Sequence, residues 1–201
     1  MIGIVDYGLG NIKAISNIYD KLKIRNKLIK AESDFENVDR LILPGVGAFD
    51  SAIEMLKKSK LYNKIDNLVV NDQFKILGIC VGMQIFSIKS SEGSLSGFNW
   101  IEGDVKKFEV NNSIMRLPHM GWNSVNIKKN LLFNNISDNE YFYFCHSYYF
   151  NCIDSKNIMS ETKFINNFAS SINYKNIYGI QFHPEKSHDN GIKILKNFSE
   201  I

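Results

Sequence analysis

The stretch Gly78-Ile79-Cys80-Val81-Gly82 constrains the fold of this chain more than any other. An apolar run over 74–79 leads into Cys80, and the residues from Val81 onward have the pattern of a helix start. Glycines two positions before and after Cys80 match the spacing of the nucleophile elbow, in which a strand turns sharply into a helix. Only residues without a Cβ fit beside so tight a turn. We therefore expect a strand–turn–helix unit with Cys80 at the turn.

This position would give the Cys80 sulfur the environment of a nucleophile. A helix N-terminus presents free N–H groups and the positive end of the helix dipole, and both favour thiolate over thiol. The backbone N–H of Val81 would then stabilise a developing oxyanion. The alternative is a small buried apolar side chain, which is the commoner role of a single cysteine in an apolar run. The nucleophile interpretation requires a general base elsewhere in the chain.

His183 is the best candidate for that base. The histidines of the chain are His119, His146, His183 and His188. Only His183 follows an apolar strand pattern and has a carboxylate, Glu185, two residues later. Residues i and i+2 of an extended segment project to the same side, and Pro184 between them restricts the backbone. Cys80, His183 and Glu185 together predict acyl transfer through a thioester, with an amide or ester substrate.

The first ninety residues have the alternating pattern of an α/β fold. Predicted strands cover 2–7, 27–30, 40–43 and 74–79, and predicted helices begin near Asn11 (as N-cap), Asp50, Leu61 and Val81. This order predicts a mostly parallel central sheet with helices on both faces, a three-layer αβα arrangement. Because sites in such sheets lie at the carboxyl ends of strands, we expect the turns 8–11 and 44–47 to meet Cys80 at one edge.

The pattern changes after residue 90. Shorter runs with strand character predict an antiparallel extension of the same sheet, at 100–110, 114–117, 124–128, 141–150 and 158–164. Two polar-aromatic stretches, 118–123 and 146–149, interrupt them. A last strand over 177–182 and a closing helix over 189–198 follow. No linker composition divides the chain, so we expect one domain over residues 1–201.

The two glycine-containing turns differ in what they indicate. The turn at 8–11 lacks the third glycine of a dinucleotide fingerprint and the lysine of a P-loop, so it does not indicate phosphate binding. The turn Pro44-Gly45-Val46-Gly47 exposes successive backbone N–H groups. It is either a plain connection between strand and helix or the source of a second oxyanion donor, and both interpretations stay open.

Composition narrows the class of protein. The 201 residues are 44% hydrophobic and carry a net charge of +3, with 24 basic and 21 acidic residues spread along the chain, which indicates no nucleic-acid binding. The odd count of three cysteines, without metal-ligand spacing, predicts neither a disulfide framework nor a metal site. The N-terminal residues lack the features of a signal peptide and no apolar run has the length of a membrane span, so we expect a cytoplasmic protein.

The site motifs together resemble a known family. The stretches 78–84 and 183–185 are similar to the class I (triad) glutamine amidotransferases. Further stretches resemble the HisH family, the glutaminase subunits of imidazole glycerol phosphate synthase, across essentially the whole chain: 6–11, 44–49, 118–123, 146–148 and 183–187. The resemblance implies the flavodoxin-like αβα fold of the class I glutamine amidotransferases.

The resemblance also implies roles for individual residues. Cys80 would attack the side-chain carboxamide of L-glutamine, His183 would transfer the proton, and Glu185 would orient His183. The oxyanion hole would combine the N–H of Val81 with an N–H from the turn at Val46 and Gly47. The residues implied to hold glutamine are Gly47, Gln84, Ser147 and Tyr148. Those implied at the heterodimer interface and ammonia passage, facing a HisF-like (β/α)8-barrel cyclase, are Asn11, Met120, Trp122 and Lys186. The family implies no cofactor and no metal.

Three alternatives remain beside this interpretation. Residues 87–100 depart from the usual acidic, glycine-rich form of the family, and HisH-like paralogues serve cyclase-like partners in surface-polysaccharide synthesis, where ammonia forms an amidine on a sugar. A thiol hydrolase or peptidase could use the same elbow. A degenerate amidotransferase could act only as a scaffold, although the intact Cys80, His183 and Glu185 argue against that.

Overall fold

Strands and helices alternate over the first ninety residues, and strands dominate the rest. The computed structural model describes residues 1–110, 115–128 and 130–201. Its elements are β1 (Ile2–Val5), α1 (Ile12–Lys21), β2 (Asn26–Ile29), β3 (Arg40–Gly45), α2 (Phe49–Lys58), α3 (Tyr62–Val70), β4 (Lys75–Cys80), α4 (Val81–Gln84), β5 (Lys89–Ser90), β6 (Gly103–Lys107), β7 (His119–Ile127), β8 (Glu140–His146), β9 (Tyr148–Cys152), β10 (Ile158–Lys163), β11 (Asn167–Tyr174), β12 (Ile177–Ile180) and α5 (His188–Glu200). Short 3-10 helices cover Glu32–Phe35, Leu131–Phe133, Ser155–Asn157 and Pro184–Lys186.

Within the described residues, nine strands form one mixed sheet in the order β2-β1-β3-β4-β12-β11-β10-β7-β8. The strands from β2 to β12 pair in parallel, and those from β12 to β8 pair antiparallel. β1, β4 and β12 are buried along nearly their whole length, as expected for parallel strands covered on both faces. The predicted α/β fold with its antiparallel extension is confirmed.

Amphipathic helices flank this sheet. α1 packs against α5, and α2 packs against α3 and α4. Each helix buries one apolar stripe, for example Ile15 and Tyr19 of α1 or Ile53 and Leu56 of α2, because residues three and four positions apart share a face. Among the described residues, no helix is long and apolar enough to cross a membrane.

The register of the central strands sets the position of the elbow. Cys80 ends β4 opposite Gly45 of β3. On the other side, Ile79 is paired with Ile180, so Cys80 is level with Gln181. The turn after β3, the elbow after β4 and the segment after β12 therefore meet at one edge of the sheet. The prediction for this edge named the turns 8–11 and 44–47 with Cys80, and did not include the segment after β12.

The antiparallel half differs from the prediction in its boundaries. β7 begins at His119, so the polar-aromatic stretch 118–123, predicted to interrupt the strands, belongs mostly to a strand. The strand predicted at 114–117 is wrong for residues 115–117, and residue 114 lies outside the described part of the chain. The predicted strand 141–150 is two strands, β8 and β9, in different sheets. β11 and the small sheet β5-β6-β9 were not predicted.

Candidate active site

The elbow has the predicted strand–turn–helix form, although α4 is only one turn long. Cys80 has φ of 54° and ψ of −111°, a left-handed conformation that costs a non-glycine residue of order 1–3 kcal/mol. A Cβ added to Gly82 would overlap the carbonyl oxygen of Leu43, and one added to Gly78 would lie 2.6 Å from the carbonyl oxygen of Gly82. The two glycines are therefore required by close backbone approach, as the spacing predicted.

The segment after β12 brings an imidazole and a carboxylate to the elbow. His183 Nδ1 lies 2.9 Å from Glu185 Oε1, and the two side chains are only 4% and 2% exposed. The imidazole and the Cys80 sulfur line the same cavity, and the sulfur is close enough to the imidazole to raise the pKa of His183. The backbone N–H of His183 donates to the carbonyl of Tyr143 at 2.9 Å, which fixes the segment against β8. Sulfur, imidazole and carboxylate thus form one row, although the sulfur is 103 positions before the histidine.

The electrostatics of this row favour a charged imidazole. Burial lowers the pKa of His183, but the Cys80 sulfur and the Glu185 carboxylate outweigh burial and raise the pKa to about 10. Burial favours the neutral form of Glu185, yet hydrogen bonds and charge from His183, with a hydrogen bond from Asn11, lower its pKa. The neighbouring carboxylate and sulfur thus hold the buried imidazole of His183 in its charged form at neutral pH.

Asn11 lies at this row. It occupies the predicted N-cap position of α1, but its side chain makes no capping hydrogen bond. Instead its Nδ2 donates to Glu185 Oε1 at 2.6 Å. The same oxygen also faces His183, while Glu185 Oε2 is buried without a hydrogen-bond partner. Sequence reasoning gave Asn11 an N-cap and an interface role but not this contact, because a contact across 174 positions leaves no local pattern.

A cavity of about 300 Å³ opens beside the sulfur. It is lined by Val46, Gly47, Cys80, Val81, Gln84, Glu92, Pro118, Cys145, His146, Ser147, Tyr148, His183 and Lys186. The structure therefore brings every residue predicted for the oxyanion hole and for glutamine binding to one cavity. A larger cavity of about 760 Å³, lined in part by Ile88 and Tyr174, contains none of the predicted site residues.

The polar side chains around the cavity are held in defined orientations. Gln84 Nε2 donates to the carbonyl of Tyr148 at 2.9 Å and to Gln181 Oε1 at 3.0 Å. Across the elbow, the hydroxyl of Tyr7 donates to the carbonyl of Pro44 at 2.7 Å and so holds the base of the 44–47 turn. Gly47 has φ of 93°, which favours glycine at this point of the turn.

Sequence reasoning missed two residues of the site. Glu92 lines the cavity, and its Oε2 accepts from the N–H of Phe49 at 2.9 Å. It lies in the 87–100 stretch, whose pattern indicated no role. Gln181 is fully buried and its Nε2 lies 3.6 Å from the Cys80 sulfur. A glutamine between Ile180 and Phe182 in an apolar strand was the available signal, because a polar group in such a run needs buried partners.

Of the residues implied to face a partner, Lys186 lines the cavity and Met120 is paired with Cys145, which also lines it. Met120 and Trp122 of β7 are 62% and 45% exposed, large values for apolar side chains. Trp122 stacks on His188 with ring centroids 4.9 Å apart. Lys186 lines the cavity and its Nζ lies 5.2 Å from the ring centroid of Tyr143. An exposed apolar pair beside a cavity rim is typical of an interaction surface.

Solved structures share the fold of this chain. A protein from Thermoplasma acidophilum, described as a subunit of a putative GMP synthase, superposes with a TM-score of 0.74 at 19% identity, covering 99% of this chain and 92% of that one. A second structure, described as a glutamine amidotransferase, superposes with a TM-score of 0.76 at 13% identity and covers 100% and 99%. At these identities the likeness concerns the fold alone.

Sequence comparisons identify the family, which the likeness of fold does not. The family model for class-I glutamine amidotransferases matches residues 3–201. The imidazole glycerol phosphate synthase subunit HisH of Leptospira borgpetersenii is 44% identical over 204 residues, covering all of both chains. The subunit HisH 2 of Methanococcus maripaludis is 43% identical and covers 98% of each chain. The chain therefore belongs to the class-I glutamine amidotransferase family and, within it, to the HisH subunits of imidazole glycerol phosphate synthase.

Proposed function

We propose that this chain is the glutaminase subunit of an imidazole glycerol phosphate synthase. It hydrolyses L-glutamine to L-glutamate and ammonia, and a HisF-like (β/α)8-barrel cyclase consumes the ammonia in histidine biosynthesis. The observation that carries the proposal is the row of Cys80, His183 and Glu185 beside a 300 Å³ cavity, in a chain 44% identical to a HisH subunit over its full length. We further propose that residues 1–201 act as one amidotransferase domain in the cytoplasm.

The reaction follows from the charges of the row. The Cys80 thiolate attacks the carboxamide carbon of glutamine, so a C–S bond forms and the carbonyl becomes an oxyanion. As the oxyanion collapses, the C–N bond breaks and His183 gives its proton to the departing nitrogen, which leaves as ammonia. His183 then takes a proton from water as that water attacks the thioester. The second collapse breaks the C–S bond and releases glutamate.

Two backbone donors would stabilise both oxyanions. The N–H of Val81 at the start of α4 is one, because the first N–H groups of a helix have no intrahelical partner. An N–H of Val46 or Gly47, which line the same cavity, is the other. Loss of one such donor typically costs about 3 kcal/mol of transition-state stabilisation.

Polar groups that line the cavity can bind the α-ammonium and α-carboxylate groups of glutamine. Both N–H groups of the Gln84 carboxamide have oxygen partners, so its Oε1 is the atom left to accept from the substrate ammonium. Glu92 offers a carboxylate in the same cavity. Backbone groups of Gly47, Ser147 and Tyr148 complete the set proposed to hold glutamine.

A partner is needed because free ammonia is mostly protonated at neutral pH and then has no nucleophilic lone pair. Met120, Trp122, Lys186 and Asn11 are the residues proposed for contact with the cyclase and for the ammonia passage. Exposure of Met120 and Trp122 supports this surface, since both would lose apolar area from water on docking.

The test is a glutaminase assay on Cys80→Ala with the cyclase partner present. We expect no ammonia release from Cys80→Ala, an unchanged melting temperature within a few degrees, and normal activity of the control Cys152→Ser, whose thiol lies outside the cavity. We also expect weak activity of the chain alone, a large increase with the partner, and no cleavage of peptides. Retained activity of Cys80→Ala, or full activity without any partner, would overturn the proposal.

A further inference from the structure

Gln181 connects two residues of the proposed site and has no role in the reaction described above. It is fully buried, and its backbone N–H donates to the carbonyl of Ser170 at 2.9 Å, so its position is fixed by the sheet. Its side-chain Nε2 lies 3.6 Å from the Cys80 sulfur. Its Oε1 accepts from Gln84 Nε2 at 3.0 Å. One carboxamide thus contacts both the reacting sulfur and the side chain proposed to bind the substrate.

The orientation of the two carboxamides is determined by their partners. The nitrogen of Gln84 faces two oxygens, those of Tyr148 and Gln181, and must be the donor to both. Gln181 therefore directs its oxygen at Gln84 and its nitrogen at the sulfur. A reversed Gln181 would set N–H groups against N–H groups and a carbonyl oxygen against an anionic sulfur, both repulsive.

The hydrogen-bond donors and acceptors can also be assigned for the residues that follow Tyr148 away from the cavity. The carbonyl of Tyr148 also faces His146 Nδ1 at 2.8 Å, so that nitrogen carries a proton. His146 Nε2 then accepts from His119 Nδ1 at 2.9 Å, and His119 Nε2 accepts from Asn123 Nδ2 at 3.1 Å. Asn123 cannot reverse, because its oxygen accepts from the N–H of Ser124. Every donor and acceptor is assigned, with both histidines neutral.

We propose that Gln181 is a positioning residue for the thiol reaction, donating an N–H to the Cys80 thiolate and holding Gln84 with its oxygen toward the substrate. The inference rests on the proposed role of Cys80 as nucleophile. Gln181 would thus give the Cys80 sulfur a hydrogen-bond donor that does not depend on the His183 imidazole. Hydrogen bonds to ionised groups are stronger than those between neutral groups, so the Gln181 N–H stabilises the sulfur in its reactive, negatively charged form.

Two variants and one control test this inference. Gln181→Met keeps the length of the side chain and removes both hydrogen bonds, and Gln181→Glu replaces the donor by a negative charge. The control is Gln73→Glu, the same change at an exposed glutamine. Apart from the carboxylate that Gln181→Glu introduces, the titratable groups around the sulfur stay the same in all three. They are Tyr7, Glu92, Cys145, His146, Tyr148, His183 and Lys186.

The measurement is the pH profile of Cys80 alkylation by iodoacetamide in the full chain, read by mass spectrometry on the Cys80 peptide so that Cys145 and Cys152 are counted separately. We expect alkylation at neutral pH to be about threefold to tenfold slower in Gln181→Met, with the profile moved to higher pH. Gln181→Glu should be slower still, and Gln73→Glu should match the wild type. A folded Gln181→Met with the wild-type profile would overturn the inference, whether or not Gln181→Glu folds.

A second readout separates the two parts of the role. In the complex with the cyclase, Gln181→Met should lower kcat and also raise KM for glutamine, because Gln84 loses the partner that orients it. A residue that only fills space would leave the alkylation profile unchanged. If the wild type itself released no ammonia with its partner, the proposed function would fail while the alkylation comparison would still decide the role of Gln181.

Discussion

Asn11 donates a 2.6 Å hydrogen bond to Glu185, on the same carboxylate oxygen that faces His183. The start of α1 is thereby linked to the end of the triad, because Glu185 is held by one donor from each side. An interaction that moved α1 would move the carboxylate, and through it the imidazole. We therefore expect Asn11 to position Glu185, in addition to its proposed place near the partner.

Replacing Asn11 by Ala should lower kcat by about tenfold, because Glu185 loses a donor that stabilises its charged form. Since Asn11 helps lower the pKa of Glu185, its loss raises that pKa, and the acid limb of the pH–activity profile should move to higher pH. The measurement is kcat against pH with saturating partner. The control is Asn17→Ala, an exposed asparagine on the same helix. Identical acid limbs in Asn11→Ala and wild type would contradict the positioning role.

Tyr7→Phe tests the support of the 44–47 turn. Tyr7 is buried and its hydroxyl donates to the carbonyl of Pro44, so its removal leaves that carbonyl without its donor and costs about 1–3 kcal/mol of stability. We expect a drop in glutaminase kcat beyond the stability loss, because the turn is proposed to supply the second oxyanion donor. Tyr19→Phe is the matched control, since Tyr19 is also buried and donates to the carbonyl of Leu195. Equal activities of the two variants would show that Tyr7 only stabilises the fold.

The strain at the elbow predicts an unusual order of stabilities. Glycine adopts the φ of 54° at position 80 without the cost paid by other residues, so Cys80→Gly should be more stable to unfolding than Cys80→Ala by about 1 kcal/mol. At position 152, inside β9, the order should reverse, because glycine weakens a strand. Urea unfolding of the four variants measures both differences. Cys80→Ala as stable as Cys80→Gly would refute elbow strain.

The buried histidine pair predicts a loss of stability in acid. Burial lowers the pKa of His119 to about 4 and that of His146 to about 3, both below the unfolded value of 6.5. Between the folded and the unfolded pKa values, the unfolded chain binds more protons than the folded chain. The free energy of unfolding should therefore fall as the pH drops below about 6.5, by at most about 1.4 kcal/mol per pH unit for each histidine.

The measurement is urea unfolding between pH 7 and pH 5. His119→Gln removes one of the two buried imidazoles and should flatten this dependence, although it lowers stability at pH 7. The control His188→Gln changes an exposed histidine and should keep the wild-type slope. A slope in His119→Gln as steep as the wild type would contradict the assignment of both histidines as neutral.

Local patterns predicted the elements that carry the reacting groups. The glycines around Cys80 predicted the elbow, because the backbone of Leu43 and Gly82 leaves no room for a Cβ. The spacing of His183 and Glu185 predicted their contact, since an extended segment projects both to one side. The alternation of strands and helices predicted the parallel half of the sheet. The strand order of that half places the turn after β3, the elbow after β4 and the segment after β12 at one edge.

Long-range pairing was not predictable in the same way. β7 extends through His119 because β8 pairs with it and buries His119 against Phe144, so tertiary contacts override the polar composition of the stretch. Gln181 and Glu92 acquire their places only from strands and loops far away in the chain. Their patterns alone did not distinguish them from other polar residues.

The sequence by itself determined the strand–turn–helix at Cys80, the His183–Glu185 pair and the class of chemistry, because each depends on sterics or alternation within a few residues. Only the tertiary structure decided three contacts: the hydrogen bond from Asn11 to Glu185, the approach of Gln181 to the Cys80 sulfur, and the hydrogen-bonded histidine pair next to the carbonyl of Tyr148. These contacts join residues between 27 and 174 positions apart. Buried polar groups take the partners that packing offers, and packing depends on the whole chain.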